Sequence, residues 1–366
     1  MAEIRAALGL NLQSENPRDP DPAYPFAAAV DREIHIRLTA FSDGIQAYRN
    51  HPYQRDLINP PVIWSDGATQ LLDYGPEDGT PVLFIPSLIN RAYILDLSER
   101  RSLLRWMAAE TGLRPLLVDW GTPKEAERGF SLTDYISGPL SGALAQARTL
   151  SDQAVPVVGY CMGGLVALAL AALNPKDVKG QVLMATPWNF HAEQVALAEV
   201  LAGAVKASGP LLDVYGELPV DIIQSLFSAL DPFLVTRKFI DFARTDPESE
   251  IAEDFVALED WLNDGVPLSG PVARECMGEW YGQNTPHQNK WRVANTYVIP
   301  QNIEMPALVL VPQRDRIVPP ASAHALAEAL PGAECQSPSL GHISMVAASQ
   351  AQTDVWKPMA HWLRSL

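Results

Sequence analysis

One stretch limits the possible folds of this chain more than any other: VVGYCMGGLVALALAALN, residues 157–174. An apolar run ends in a turn with Cys161 at its apex, and an Ala/Leu-rich segment of helical character follows. Gly159 and Gly163 stand two residues to either side of the cysteine. A strand that turns this sharply into a helix forces the apex residue into a strained conformation and brings its flanking positions against neighbouring backbone, so glycine is required there. Such a corner belongs to a sheet whose strands feed directly into helices, and it holds the apex side chain out at the strand's C-terminal end.

The surrounding pattern agrees. PVLFI at 81–85, RPLLVD at 114–119, VPVV at 155–158, GQVLMA at 180–185 and ALVLV at 307–311 are short apolar runs. Helical patterns separate them, at 102–111, 132–150 (capped by a Ser or Thr near Asp134) and from Gly163 onward; further helices follow at 322–330 and 355–366. Strands apolar on both faces that alternate with helices predict a mostly parallel, doubly wound sheet covered on both sides. Before it, VIW at 62–64 and TQLLDY at 69–74 flank Ser65-Asp66-Gly67 and read as a hairpin. Residues 13–25 read as an extended lead-in, and 27–50 as one helix or two in succession. The alternation stops after Pro187 and resumes near 307, with helical patterns and no convincing buried strand over 190–295. Four segments result: an N-terminal extension, partly helical, over 1–60; a first part of the core over 61–189; a mostly helical cap insertion over 190–295; and a second part of the core over 296–366.

The formal net charge of −16 opposes binding to nucleic acid or to an anionic membrane surface. Cys161, Cys276 and Cys335 are an odd set without CxxC spacing, so neither a disulfide framework nor a metal site is expected. The first residues lack a basic region followed by an apolar run, and no apolar stretch is long enough to span a bilayer. We expect no signal peptide, no transmembrane segment and a cytoplasmic location.

Free cysteine is most often a small buried hydrophobe. At this corner, though, the following helix aims its N-terminus at the sulfur, which favours a thiolate, and the Met162 N–H is placed to serve as an oxyanion donor. A nucleophile of this kind takes its acid and then its histidine from later in the chain. Asp315 follows the apolar run at 307–311, where a strand meets a crevice. Of seven histidines, His342 is the best base: it sits in SLGHI, on a late loop after a Pro/Ser stretch, with a glycine allowing close approach. His191 and His287 are minor candidates because the insertion can line the cleft. Cys161, His342 and Asp315 would then act together, His342 taking the thiol proton while Asp315 fixes its tautomer and steadies the imidazolium. A second oxyanion donor is expected after the first core strand, at Leu88 or its neighbour. Trp188 and Trp261 are candidates to line an acyl channel. Leu197, Leu201, Leu211, Leu212, Leu226, Phe227, Leu230 and Phe233 give the insertion an apolar surplus, which either lines the cleft and excludes water or, for most of them, simply packs the cap.

With these residues in view, the chain resembles the polyhydroxyalkanoate synthases, above all the short catalytic subunit of the class III type. The likeness rests on IPSLINRAYILDL at 85–97, DWGTP at 119–123, GYCMGG at 159–164, EDWLNDGVP at 259–267, and the positions of Asp315 and Gly341-His342-Ile343. It implies an α/β-hydrolase fold with a cap and no metal or other cofactor. It implies transfer of a 3-hydroxyacyl group from coenzyme A to a growing polyester through a thioester on Cys161. The partners it implies are the acyl-CoA substrate, the polyester granule, and a second synthase subunit or a second copy of the chain. If water instead of a hydroxyacyl group attacked the thioester, the same set would make a thioesterase or an intracellular polyester depolymerase.

Overall fold

A computed structural model of the chain describes residues 23–366 apart from 194, 196–197, 199, 201–202, 204–206, 208 and 230. The extended lead-in over 13–22 lies outside the described residues, as do Leu197, Leu201 and Leu230 and the side chain of Leu211.

The chain divides into two compact units. The larger, Gln54–Asp231 with Ala257–Leu366, is built on an eight-stranded sheet. Its strands are β1 (Val62–Asp66), β2 (Thr69–Asp73), β3 (Thr80–Ile85), β4 (Leu113–Asp119), β5 (Val155–Tyr160), β6 (Val178–Met184), β7 (Ala307–Leu310) and β8 (Glu334–Gln336). They lie in the order β1-β2-β4-β3-β5-β6-β7-β8. β2 runs antiparallel to both β1 and β4, and every other pairing is parallel. This is the α/β-hydrolase arrangement expected from the alternation of apolar runs and helices. The central strand β5 is buried at every position, as a strand covered on both faces must be. Short β8, with its Glu and Gln, gives no apolar signal in the sequence.

The helices start where their caps place them. Ser102 accepts from the Arg105 N–H at 3.0 Å and opens Leu103–Glu110. Ser131 and Asp134 form a reciprocal capping box at the start of the helical region beginning at Leu132. That region is not one uniform helix. Pro139 cannot donate to the ladder, and a π-helical segment, Ile136–Leu140, carries it between two α-helical pieces. The helix Met162–Leu173 behind the cysteine is buried along nearly its whole length, from Met162 to Ala171. Each of its fully buried Leu and Val side chains contributes about 1.5–3 kcal/mol of transfer free energy, so the corner that carries Cys161 is anchored in the most strongly buried helix of this unit.

The stretch 190–295 is shared between the units: 190–231 and 257–295 belong with the sheet, and 232–256 with the N-terminal helix. Two small antiparallel ladders occur there, Glu217–Leu218 with Leu268–Ser269 and Arg292–Val293 with Thr296–Tyr297, too short to register as apolar runs.

In the smaller unit, Ala23–Asn50 is a single 28-residue helix and not a broken pair. It lies against Leu234–Phe242, with the rings of Phe41 and Tyr48 edge-on to Phe239. A side chain at Gly44 would collide with the Phe239 backbone, so glycine sets how closely these two helices approach. Phe242 and Phe255 stack with centroids 4.2 Å apart and complete this unit's core. Among the described residues no helix is long and apolar enough to cross a membrane.

Candidate active site

Cys161 caps the helix Met162–Leu173 with φ 58° and ψ −127°, a region that side-chain-bearing residues rarely adopt. The conformation is held from both sides. Its N–H donates to the Met184 carbonyl at 2.8 Å, and its own carbonyl accepts from Gly164 at 2.9 Å. A Cβ at Gly159 would strike the backbone of Gly164, and one at Gly163 would strike the carbonyls of Ile85 and Pro86. The glycines singled out in the sequence are thus fixed by close approach, and the local strain is the kind found where a protein needs a side chain placed.

Asp315 and His342 come from the loops that follow β7 and β8. Backbone bonds from Gln313 to Pro338 and from Arg314 to Leu340, both 2.9 Å, join the two loops. One Asp315 oxygen accepts the N–H groups of Ile317 and Val318, each at 2.8 Å. The other accepts from His342 Nδ1 at 2.6 Å. Both residues are buried. With Nδ1 occupied, the second ring nitrogen is left for Cys161, which lies close enough to raise the imidazole's pKa. Burial pulls the imidazole down. The charges and hydrogen bonds of Cys161 and Asp315 outweigh it and hold His342 at about 10. The structure therefore brings Cys161, His342 and Asp315 together. His191 is not part of the group: its ring nitrogen is bonded to the Tyr281 carbonyl at 2.8 Å. His287 is exposed.

Cys161 opens on a cavity of about 90 Å³. Met162, Ile89, Pro187, Phe190, Ile223 and Leu226 are among its apolar walls. Further lining comes from the π-helical segment Glu275–Gly282, through Cys276, Met277, Trp280 and Tyr281. Leu212 is buried in the core, and Leu226 and Phe227 line the cavity, whereas Phe233 belongs to the smaller unit and is exposed.

Leu88 borders a separate small cavity, with Trp120 and Tyr135, while its neighbour Ile89 faces Cys161. The Ile89 N–H is taken by Ser87 Oγ at 3.1 Å, which leaves the Leu88 N–H as the candidate donor on this loop. Neither Trp188 nor Trp261 lines the Cys161 cavity. Trp188 is a core residue whose N–H donates to Ser322 Oγ. Trp261 donates its indole N–H to the Arg91 carbonyl at 2.8 Å, and Trp120 donates to the Pro86 carbonyl at 3.0 Å. The tryptophans of the DWGTP and EDWLNDGVP segments thus tether the two ends of the loop that passes Cys161. An antiparallel bridge of Asn90 to Gly265 adds to the tether. The aromatic residues that do line the cavity are Phe190, Phe227, Trp280 and Tyr281, and of these only Phe227 stands out in the sequence. A run such as RECMGEWYG at 274–282 has no periodicity that announces a π-helix, although Trp and Tyr stand side by side in it.

A family model described as alpha/beta hydrolase fold matches residues 81–201. Poly(3-hydroxyalkanoate) polymerase subunit PhaC of Synechocystis sp. is 31% identical over 293 residues, 77% of each chain. The subunit of that name from Haloarcula marismortui is 29% identical over 317 residues, 82% of this chain and 66% of its own. The present chain thus spans slightly less than two thirds of that relative's length. Among solved structures, a thermophilic esterase from Thermogutta terrifontis matches with a TM-score of 0.52 and 19% identity, covering 86% of this chain and 99% of the esterase. The esterase supports the fold alone. The polymerase relatives go further: this chain belongs to the poly(3-hydroxyalkanoate) polymerase PhaC family.

Proposed function

We propose that the chain is an acyltransferase that polymerises 3-hydroxyacyl-CoA into polyhydroxyalkanoate through a thioester on Cys161. The observation that carries this reading is His342, held by Asp315 on one nitrogen and within electrostatic reach of Cys161, beside a cavity with apolar walls.

The Cys161 sulfur attacks the thioester carbonyl of the acyl-CoA. The N–H groups of Met162 and Leu88 take the charge that develops on the carbonyl oxygen. The C–S bond to coenzyme A breaks, and its thiolate leaves with the proton carried by His342. One thioester replaces another, so the acyl-enzyme lies close in energy to the substrate. Acylation also resets the base. A thioester sulfur carries no charge, so the contributions of Cys161 that hold His342 high disappear, and burial then favours the neutral imidazole. That form accepts the proton of the next attacking hydroxyl.

If the hydroxyl belongs to a second hydroxyacyl group, an ester forms and the polymer grows; if it belongs to water, the acid is released. The apolar walls favour the first outcome by excluding water. The resemblance adds a cytoplasmic site of action at the polyester granule, together with a second synthase subunit or a second copy of this chain.

The test is incubation with 3-hydroxybutyryl-CoA, following free thiol and insoluble product. Released CoA with polyester supports the proposal. Released CoA with only free 3-hydroxybutyrate makes the protein a hydrolase, and full CoA release by Cys161→Ala removes both readings.

A further inference from the structure

The cavity beside Cys161 is apolar except for a few groups, and a 3-hydroxyacyl chain carries a hydroxyl into it. Where that hydroxyl binds depends on which polar groups are still free. Asn189 lines the cavity, but its Oδ1 already accepts from the His191 N–H at 3.1 Å and from Asn284 Nδ2 at 2.8 Å. Ser322 Oγ already accepts from the Trp188 N–H at 3.1 Å. The indole nitrogen of Trp280 is sealed off within the packing. The Cys276 thiol is a weak donor.

Asn189 keeps its Nδ2 and Ser322 its hydroxyl proton; Tyr281 is set apart by its place beside both cysteine sulfurs. It lines the cavity, and its hydroxyl makes no hydrogen bond among the described residues. It lies within electrostatic reach of both the Cys161 and Cys276 sulfurs. Its position is fixed. The ring stands edge-on to Phe190 at 4.9 Å, and its backbone carbonyl accepts from His191. The π-helical segment explains why the side chain reaches the cavity: i→i+5 bonding widens the turn, so Cys276, Met277, Trp280 and Tyr281 share one face. Burial, with the two sulfurs adding to it, keeps the phenol protonated and therefore a donor.

We propose that the Tyr281 hydroxyl binds the 3-hydroxyl of the acyl group and sets the preference for 3-hydroxyacyl over unsubstituted acyl chains. This rests on the acyl-CoA reading of the site and names one of its specificity-determining residues. A site built to hydrogen-bond a substrate hydroxyl discriminates strongly against analogues that lack it, because its own polar group is then left unpaired.

The experiment compares 3-hydroxybutyryl-CoA with butyryl-CoA in single-turnover acylation of Cys161, followed by CoA release and by the mass of the protein, in wild type and Tyr281→Phe. Phe keeps the ring and its contact with Phe190. The ratio of the two acylation rates is expected to fall about tenfold or more in the variant. A general loss of structure lowers both rates and leaves the ratio unmoved. An unchanged ratio, whether both rates persist or fall together, overturns the proposal while leaving the acyltransferase reading intact. A wild-type protein that neither substrate acylates overturns the acyltransferase reading itself, and this inference with it.

Discussion

The Tyr160 hydroxyl donates to the carbonyl of His342 at 3.0 Å, and the two rings lie 5.3 Å apart. The residue immediately before the nucleophile thus holds the loop that carries the base, across 182 positions of sequence. Tyr160→Phe keeps the ring contact and strips one partner from a buried carbonyl, which costs about 1–3 kcal/mol. We expect a lower urea midpoint with an unchanged slope, and a several-fold loss of CoA release as His342 loses its fixed position. Unchanged stability would mean that the loop bonds from Arg314 and Gln313 suffice.

Within the proposed mechanism, Asp315→Asn is the sharper probe of the group. The amide can present its NH₂ to His342 Nδ1 and stabilise the wrong tautomer, and it cannot balance an imidazolium. By analogy with serine triads, where the same change costs roughly 10⁴ in turnover, we expect CoA release to fall by about 10²–10⁴, with substrate binding little altered. Cys161→Ser should keep the fold and lose most of the rate, because an alkoxide is harder to generate than a thiolate. A serine variant with wild-type turnover would contradict the thiolate chemistry.

Much of this architecture is legible in the sequence because it depends on local constraints. The corner at Cys161 needs its two glycines, the core strands are apolar on both faces, Asp315 follows such a strand at its C-terminal end, and His342 stands behind a glycine on a late loop. What escapes has no local signature. The strand Glu334–Gln336 is short and polar, and only its pairing beside β7 makes it a strand. The π-helical segments are decided by tertiary packing. Trp261 looks like a pocket residue by composition, yet its indole N–H is committed to the Arg91 carbonyl. The identity of a donor's partner is not written near the donor.

The protonation of His342 should depend on the sulfur. Burial lowers its pKa, while Cys161 and Asp315 raise it to about 10. Cys161→Ala removes the sulfur's contribution and leaves Asp315 alone against burial. Imidazole NMR should therefore show His342 titrating near 10 in wild type and lower in the variant. A midpoint that does not move would show that Asp315 sets it unaided, and would remove the proposed resetting of the base on acylation.

Glu275, next to Cys276 on the π-helical segment, carries a different pH dependence. Burial pushes its carboxyl up to about 7, and Glu279 adds to the rise, while bonds from the Trp291 indole at 2.8 Å and from the Leu132 backbone oppose it. The folded-state value lies above the ordinary 4.5, so the folded protein binds more protons between the two. The stability contributed by the neutral acid is therefore fully present below about 4.5 and is lost as the pH rises through about 7. Glu275→Gln can still accept from Trp291 and never ionises. We expect the variant to match wild type in urea unfolding at pH 5 and to exceed it at pH 8 by roughly 1–3 kcal/mol. A wild type that is equally stable at both values, with the variant running parallel to it, would mean that the carboxylate reaches water and ionises without penalty.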